Sequence, residues 1–332
     1  MDTQPFISVI LPVYNGEKFL PDCLRALTSN SYEKYELIVV DDCSTDKSAE
    51  IGRQLGARIL RMPRQSGPAA ARNLGAQEAR GDILLFVDAD VVVRPDTLDL
   101  IAADFVSHPE VAAVFGSYDD EPAEKNFISQ YKNLAHHFVH QQSSSDAVTF
   151  WAGCGAVRRD VFLRVDGFNA ERYPRPAIED IELGYRMRMK GYRILLDKQL
   201  QGKHLKRWTL RSMLHADIFC RAVPWSILIF ESHGLVNDLN LQTTDRISAG
   251  LVALSLVVFP FSILKPPLLL LIVVLLAMIP ILNYRFYRFL LRRKGLKFAV
   301  LAFPMHLLYY LYSGFSFLFC WIRYHFVPAA GA

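Results

Sequence analysis

Two carboxylates separated by one residue, Asp88 and Asp90, directly follow a run of apolar residues at 83–87. Such a run, rich in Leu, Ile and Val, predicts a strand that is buried on both faces. In an α/β sheet, ligands bind beyond the carboxyl ends of the strands, so both side chains are expected to face a site. Carboxylate oxygens at this spacing suit Mg²⁺ or Mn²⁺, which would also bind phosphate oxygens of a substrate. A solvated turn is the plain alternative, because Asp-x-Asp alone is a weak signal.

Paired acidic residues recur at two other places in the chain. Asp41 and Asp42 end an apolar stretch that begins at residue 35, so they too are expected at the carboxyl end of a strand. Glu179 and Asp180 stand at the start of a predicted helix. Negative charge in a first turn favours the helix dipole, and a purely structural role is a fair alternative for this pair.

Strands and helices alternate along the first third of the chain. Apolar runs predict the strands, and apolar residues at i, i+3 and i+4 predict the helices between them. The predicted strands lie at 6–11, 35–40, 57–60, 83–87 and 111–115, and the predicted helices at 17–29, 47–55, 68–80 and 96–107. This order is typical of an α/β fold with a largely parallel sheet, flanked by helices and joined by right-handed crossovers. No G-x-G-x-x-G or P-loop sequence occurs, which disfavours the common dinucleotide and P-loop folds.

The middle third is less regular. It holds a predicted helix at 127–141, a small-residue segment, Gly153-Cys154-Gly155, a strand at 192–196 and a basic stretch at 203–209. The glycines would allow a ligand to approach the backbone closely. The basic stretch contains one histidine, His204, and one tryptophan, Trp208.

Composition excludes several classes of protein. The 332 residues carry a net charge of +4, from 37 basic and 33 acidic residues, and no nucleic-acid-binding motif occurs, so no nucleic-acid partner is expected. The five cysteines are scattered without a C-x-x-C pair, which argues against a disulfide framework or a zinc site and favours reduced thiols in a reducing compartment. The first residues do not resemble a signal peptide.

The last third predicts a membrane region. Three stretches lack charge, at 247–264, 266–283 and 298–322, and each approaches the length of about 20 residues that a span needs. The first two are separated by Lys265 alone, so they predict either two spans or a re-entrant hairpin. A basic segment separates the second from the third, and the positive-inside rule puts it in the cytoplasm. The sequence therefore predicts a multi-pass protein of the cytoplasmic (inner) membrane.

The same pattern gives the domain organisation. We expect a cytoplasmic catalytic domain at 1–208, an amphipathic or interfacial connection at 209–246, about three transmembrane helices at 247–323 and a tail at 324–332. A core-facing helix is an equal alternative for the amphipathic part of the connection.

Five motifs, in order, resemble family 2 glycosyltransferases of the membrane-anchored bacterial type. The matching segments are Ser8–Asn15, Glu36–Asp46, Gly67–Asn73, Asp88–Asp90 and Glu179-Asp180. Cys43 stands where the family usually has Gly. The resemblance implies a GT-A fold, a nucleotide-sugar donor and a divalent metal, Mg²⁺ or Mn²⁺. It covers roughly residues 6–210.

The resemblance also implies roles for individual residues. Asp180 would be the general base, and Asp90 would hold the metal together with Asp88, with His204 as a further candidate ligand that is equally well read as structural. The donor side would comprise Pro12, Tyr14, Asp41, Asp42, Arg72 and Asp88. The acceptor side would comprise Gly153, Cys154, Gly155, Glu179 and Trp208, with Glu179 favoured as a stabiliser of the helix start.

The implied reaction is inverting transfer of a sugar, from a UDP-sugar by default, to a hydroxyl acceptor. A lipid-linked acceptor or a cell-envelope glycan is favoured, and membrane lipids are expected partners. A polyprenyl phosphate is the alternative acceptor, since its ionised oxygen needs little help from a base. A nucleotidyltransferase and an inactive membrane scaffold are less favoured, because the chain lacks a Gly-rich nucleotide loop and retains its acidic residues.

Overall fold

The computed structural model describes residues 4–232 and 242–326. Two compact units divide between Thr209 and Leu210. The strands of the N-terminal unit are β1 (Ile7–Val13), β2 (Tyr35–Asp41), β3 (Arg58–Arg61), β4 (Ile83–Val87), β5 (Val91–Val93), β6 (Val111–Tyr118), β7 (Asp146–Ala147), β8 (Cys154–Arg158) and β9 (Arg193–His204). Its helices are α1 (Leu20–Thr28), α2 (Ser48–Gln54), α3 (Gly67–Glu78), α4 (Thr97–Ser107), α5 (Phe127–Gln142), α6 (Arg159–Arg164) and α7 (Glu179–Met189).

The sheet is mixed. Its strands follow the order β3-β2-β1-β4-β8-β6-β9-β5, and β7 pairs with β9. The first four strands are parallel, as the alternation of strands and helices predicted. β8 then pairs antiparallel with both β4 and β6, while β6 and β9 are parallel. The acidic residues that follow β2 and β4 therefore lie at the same edge of the parallel half.

Side chains from the two faces of the sheet form two layers of core. Neighbouring residues of a strand point to opposite faces, so Val9 and Ile10 of β1 enter different layers. Leu20 and Leu24 of α1 pack in the layer of Val9, and Ala76 of α3 packs in that of Ile10. Both layers consist mainly of apolar side chains, which explains why the strands read as nearly continuous hydrophobic runs.

Two strands are longer than the sequence predicted. β6 continues to Tyr118 and β9 to His204, where the sequence predicted ends at 115 and 196. The polar residues after Leu196 hid the extension, but pairing with β6 and β5 carries β9 onward through a register irregularity. This extension brings His204 opposite Val91, next to the turn that holds Asp90.

The C-terminal unit is helical. Its elements are α8 (Leu210–Asp217), a π-helical turn (Ile218–Ala222), α9 (Val223–Glu231), α10 (Thr243–Leu264), α11 (Leu268–Leu282), α12 (Tyr284–Lys294) and α13 (Leu296–Phe326). Three helical segments are long and apolar enough to cross a membrane: 210–231, 243–264 and 296–326. A fourth span would require α11 and α12 to act together, although they are bent by 70°. These helices indicate that this unit associates with a membrane.

The observed helices differ in part from the predicted spans. Two predicted spans fall within α10 and α13, but the predicted span at 266–283 becomes α11, a helix of 15 residues. The segment 210–231 was predicted as part of an amphipathic or interfacial connection, with a core-facing helix as an equal alternative, and it has the length and composition of a span. Part of the predicted connection, residues 233–241, and most of the predicted tail, residues 327–332, lie outside the described residues.

Gly184 of α7 allows a close approach that matters for the site. A Cβ at this position would lie 2.4 Å from the backbone nitrogen of Phe150. We predict that Gly184→Ala lowers stability by about 1–3 kcal/mol through overpacking, although alanine normally favours a helix by about 1 kcal/mol. Thermal unfolding of the full chain measures the change. Gly314→Ala, where nothing lies within 4 Å of the added Cβ, is the control. Equal behaviour of the two variants would show that α7 has room to move.

Candidate active site

Asp88 and Asp90 form a tight turn at the end of β4. The backbone N–H of Asp88 donates to the carbonyl of Gly153 at 3.2 Å, and that of Val91 donates to the carbonyl of Asp88 at 3.0 Å. The two carboxylates remain partly open, with side-chain exposures of 33% and 24%. Both can therefore receive a ligand beyond the carboxyl end of the strand.

Asp90 lies beside His204. The His204 Nε2 is 3.5 Å from an Asp90 carboxylate oxygen, and Leu205 donates its N–H to the Asp90 carbonyl at 2.9 Å. Burial would raise the pKa of Asp90, but the contact with His204 and the charge of Lys206 lower it below the usual value. The carboxylate is thus ionised and able to bind a cation.

The candidate metal ligands around Asp90 suit a metal ion that also binds oxygen atoms of a substrate. One carboxylate and one imidazole are adjacent, and no group of three or more His, Cys, Asp or Glu arranged for metal binding occurs among the described residues. Mg²⁺ and ions like it are held in this way by one or two carboxylates together with substrate phosphates.

A buried guanidinium joins the Asp88/Asp90 pair to the Glu179/Asp180 pair. Arg72 of α3 donates from Nη2 to Asp88 at 2.7 Å and from Nη1 to Glu179 at 2.9 Å. Its side chain is 5% exposed. Burial and the nearby charge of Asp90 raise the pKa of Asp88 in spite of Arg72. The sequence analysis assigned Arg72 to the donor side and Glu179 to the acceptor side, and the two side chains meet.

Asp180 lies against the segment that precedes β8. One carboxylate oxygen accepts the N–H of Ala152 at 3.1 Å, and the other accepts the N–H of Ile181 at 2.8 Å. Burial, together with the charge of Glu179, raises the pKa of Asp180 to about 6. A carboxylate with this pKa is ionised at neutral pH and is a stronger base than an ordinary aspartate.

The second acidic pair is already engaged by the backbone. Asp42 accepts N–H groups from Ser66 and Gly67 at 2.7 and 2.8 Å, so it stabilises the start of α3. Asp41 accepts the N–H of Ser44 at 2.9 Å. These bonds fix the loop after β2, and contact of either carboxylate with a nucleotide stays a prediction.

Two other predicted donor-side positions, Pro12 and Tyr14, lie beside this loop, and the loop itself contains Cys43, the departure from the family's usual Gly. Pro12 is the second-last residue of β1. Tyr14, just beyond the strand, is 48% exposed and therefore available for stacking. Cys43 has a positive φ of 64°, which explains why glycine suits this position. The substitution leaves Asp41 and Asp42 in place.

The predicted acceptor-side residues are all buried. Cys154 is fully buried in the core, and burial raises its pKa to about 12, so its thiol is inert. An added Cβ at Gly153 would lie 2.3 Å from the indole ring of Trp151, and one at Gly155 would lie 2.3 Å from the Trp151 carbonyl oxygen. Gly153 thus makes room for the indole ring, and Gly155 allows the backbone to pass close by. Trp208 is 7% exposed and donates its backbone N–H to Ser129 at 2.7 Å.

A layer of aromatic rings, which the sequence analysis missed, connects His204 with Trp151. The ring of Tyr118 stacks on His204 with centroids 4.2 Å apart and an interplanar angle of 11°. The same ring contacts His136 at 4.4 Å and meets Trp151 edge-on at 4.9 Å. Trp151 precedes Ala152, which binds Asp180. Its place before the small-residue segment was a usable signal, whereas Tyr118 lay beyond the predicted end of its strand.

The sequence profile described as "Glycosyl transferase family 2" matches residues 8–165. This region, just under half of the chain, is similar to glycosyl transferase family 2 and is called the family 2 region below. The family 2 region contains β1 to β8 and the turn with Asp88 and Asp90, and it ends before Asp180 and His204.

Several named relatives match parts of the chain. An uncharacterized glycosyltransferase of Haemophilus influenzae is 41% identical over 101 residues, which is 29% of this chain and 40% of the relative. Glycosyltransferase AglE of Haloferax volcanii is 45% identical over 95 residues, 26% of this chain and 31% of the relative. The poly(ribitol-phosphate) β-N-acetylglucosaminyltransferase TarS of Staphylococcus aureus is 36% identical over 108 residues, 30% of this chain and 19% of TarS. The chain spans less than half the length of each.

One solved structure resembles almost the whole chain. Mannosyltransferase PcManGT from Pyrobaculum calidifontis, in complex with GDP-Man and Mn²⁺, covers 95% of this chain with 87% of its own. The TM-score is 0.52 and the identity 19%, which establishes a shared fold. The GT-A fold expected for the family 2 region is therefore confirmed.

We predict that Arg72→Met lowers stability by about 3–5 kcal/mol, because it leaves the buried Glu179 and the partly buried Asp88 without a counter-charge. Arg58→Met is the matched control, since Arg58 pairs with Glu78 at the surface at 2.6 Å and such pairs contribute about 0–1 kcal/mol. Denaturant unfolding of both variants measures the difference. A loss for Arg72→Met no larger than that for Arg58→Met would mean that the two carboxylates do not depend on Arg72.

Proposed function

We propose that this protein is an inverting glycosyltransferase that moves a sugar from a nucleotide-diphospho-sugar to a hydroxyl acceptor. The observation that carries the proposal is the connection of Asp88 to Glu179 through Arg72, at 2.7 and 2.9 Å. It holds a cation-binding carboxylate turn and a candidate base, Asp180, on one framework. The family 2 region supports the same class of reaction.

The donor would bind at the Asp88–Asp90 turn. Asp90 and His204 would hold a divalent cation, and Asp88 would face the ribose or diphosphate. When bound, the cation would neutralise the charge that develops on the departing nucleotide diphosphate. Tyr14, exposed beyond β1, would stack on the base, and UDP is the default nucleotide.

The acceptor would bind on the side of Asp180. Its carboxylate would take the proton of the acceptor hydroxyl while that oxygen attacks the anomeric carbon. The bond from the anomeric carbon to the diphosphate breaks as the new glycosidic bond forms, so the configuration inverts. A raised pKa, about 6, suits a base that works near neutral pH.

The acceptor class follows from the base and from the helices of the C-terminal unit. An ionised phosphate needs no general base, so Asp180 favours a hydroxyl over a polyprenyl phosphate. The candidate spans favour an acceptor that is lipid-linked or part of a cell-envelope glycan, and membrane lipids as partners. The name of TarS, a transferase acting on a poly(ribitol-phosphate), supports an envelope glycan. By the positive-inside rule, the site would face the cytoplasm, where nucleotide-sugars are made.

Binding of the donor is tested by thermal unfolding of the full chain with UDP- and GDP-sugars, with and without Mn²⁺. We expect a rise in Tm with one donor and Mn²⁺ together, which corresponds to about 2.7 kcal/mol of added stability at a ligand concentration of 100 Kd. Asp90→Asn is expected to remove this rise, and Asp22→Asn, at an exposed site, is expected to retain it. If no donor stabilises the protein in a metal-dependent way, the proposal is wrong.

The general base is tested by Asp180→Asn. We expect kcat to fall by roughly 10²–10⁴ while donor stabilisation is retained, because the acceptor proton loses its base. In the unchanged protein without bound substrate, Asp180 is largely protonated below pH 6, so kcat/KM at pH 5 should be about tenfold lower than its plateau above pH 7. Membranes containing the protein are incubated with labelled donor, and the products are identified by mass. Near-normal transfer to a polyprenyl phosphate by Asp180→Asn would instead favour that acceptor.

A further inference from the structure

The charge of this chain is divided unevenly along its length. All 33 acidic residues lie at or before Asp245, whereas nine of the 37 basic residues follow it. Six of the nine fall within 13 positions at α12 and the start of α13: Arg285, Arg288, Arg292, Arg293, Lys294 and Lys297. No acidic residue lies between Asp245 and these positions or among them. Three of them, Arg285, Arg288 and Arg292, are exposed and attract a partner that supplies negative charge.

Hydrogen bonds from two other helices fix the bend that sets α12 apart from α11. Asn283, between the two helices, donates from Nδ2 to Ser248 at 3.0 Å and to the Ile279 carbonyl at 2.9 Å. Its Oδ1 accepts from the Tyr310 hydroxyl at 3.2 Å. The 70° change of direction is therefore built into the packing of α10, α11 and α13.

The two faces of α12 differ in character. Phe286 and Leu290 are buried, and the Phe286 ring packs edge-on against His306 of α13 with centroids 5.2 Å apart. Arg285, Arg288 and Arg292, spaced i, i+3 and i+7, form an exposed stripe. The helix is thus held by its apolar face and presents guanidinium groups on the other.

The exposed side of α12 suits neither the hydrocarbon core of a bilayer nor open water. Guanidinium groups are strongly disfavoured in the centre of a bilayer, so α12 does not complete a span begun by α11. Tyr284 and Leu291, next to the arginine stripe, are exposed by 55% and 47%, and large apolar side chains are disfavoured in water. A membrane–water interface accommodates both, because aromatic and apolar groups enter the headgroup layer while arginines meet phosphates.

We propose that the exposed face of α12 is a docking surface for the phosphate headgroups of anionic phospholipids, which hold this helix in the plane of the bilayer surface. Each guanidinium can donate two parallel hydrogen bonds to a phosphate. Anionic lipids attract basic segments beside membrane helices through the same chemistry. The inference depends on membrane association and is independent of the proposed glycosyl transfer.

The test places the full chain in lipid nanodiscs of phosphatidylcholine, with or without phosphatidylglycerol. Tm is measured by intrinsic fluorescence, and retained lipid is counted by native mass spectrometry. The variant R285Q/R288Q/R292Q removes the stripe. The matched control R246Q/K265Q/R323Q removes three charges from the same unit outside α12.

We expect phosphatidylglycerol to raise the Tm of the unchanged protein and of the control. For the stripe variant, the apparent affinity for phosphatidylglycerol should fall by about a hundredfold, while its Tm in phosphatidylcholine stays unchanged. R285K/R288K/R292K keeps the charge and should keep most of the response. A second set of phosphatidylcholine discs contains a polyprenyl phosphate.

Four results would overturn the proposal. In the first, phosphatidylglycerol does not raise the Tm of the unchanged protein; in the second, the stripe variant and the control lose affinity for it equally. In the third, the lysine variant binds phosphatidylglycerol as weakly as the glutamine variant. In the fourth, only the polyprenyl phosphate raises the Tm. The last would assign the surface to a lipid-linked substrate. Transfer activity enters none of these measurements, so failure of the proposed function would not affect them.

Discussion

The buried guanidinium of Arg72 is the contact on which the candidate site depends. A charge that is 5% exposed must be compensated within the protein, and Asp88 and Glu179 do this from two different elements. The position of Arg72 is in turn set by the start of α3, where Asp42 accepts N–H groups from Ser66 and Gly67. Displacement of any of these groups would leave a buried charge unpaired. The loop after β2, the turn after β4 and the start of α7 are therefore fixed together.

This framework explains why the site tolerates little change in volume around α7. The helix carries Glu179 and Asp180 in its first turn, and Gly184, one turn later, meets the backbone of Phe150. The close contact keeps Ala152 within hydrogen-bond distance of Asp180. A methyl group at Gly184 would thus affect stability and the position of the candidate base together.

The sequence predicted the parts of the site that depend on neighbouring residues of the chain. Contacts between residues far apart in the sequence were not predictable in this way. Carboxylates after β2 and β4 were predictable, because apolar runs reveal buried strands. The bond from Arg72 to Glu179 joins residues 107 positions apart, and no spacing rule reports it. The approach of His204 to Asp90 likewise depends on the extension of β9 through polar residues to pair with β5. Tyr118 entered the site for the same reason, at the extended end of β6.

The charge distribution bears on how such a site would hold a diphosphate. Residues 1–245 carry all 33 acidic residues and 28 of the basic ones, so the part of the chain that holds the site is itself negative. Within the site, Arg72 is already neutralised by two carboxylates. An anionic donor would meet net repulsion at Asp88 and Asp90 unless a cation lay between them. Electrostatics, like the residue types at the turn, therefore supports the proposed use of a divalent ion.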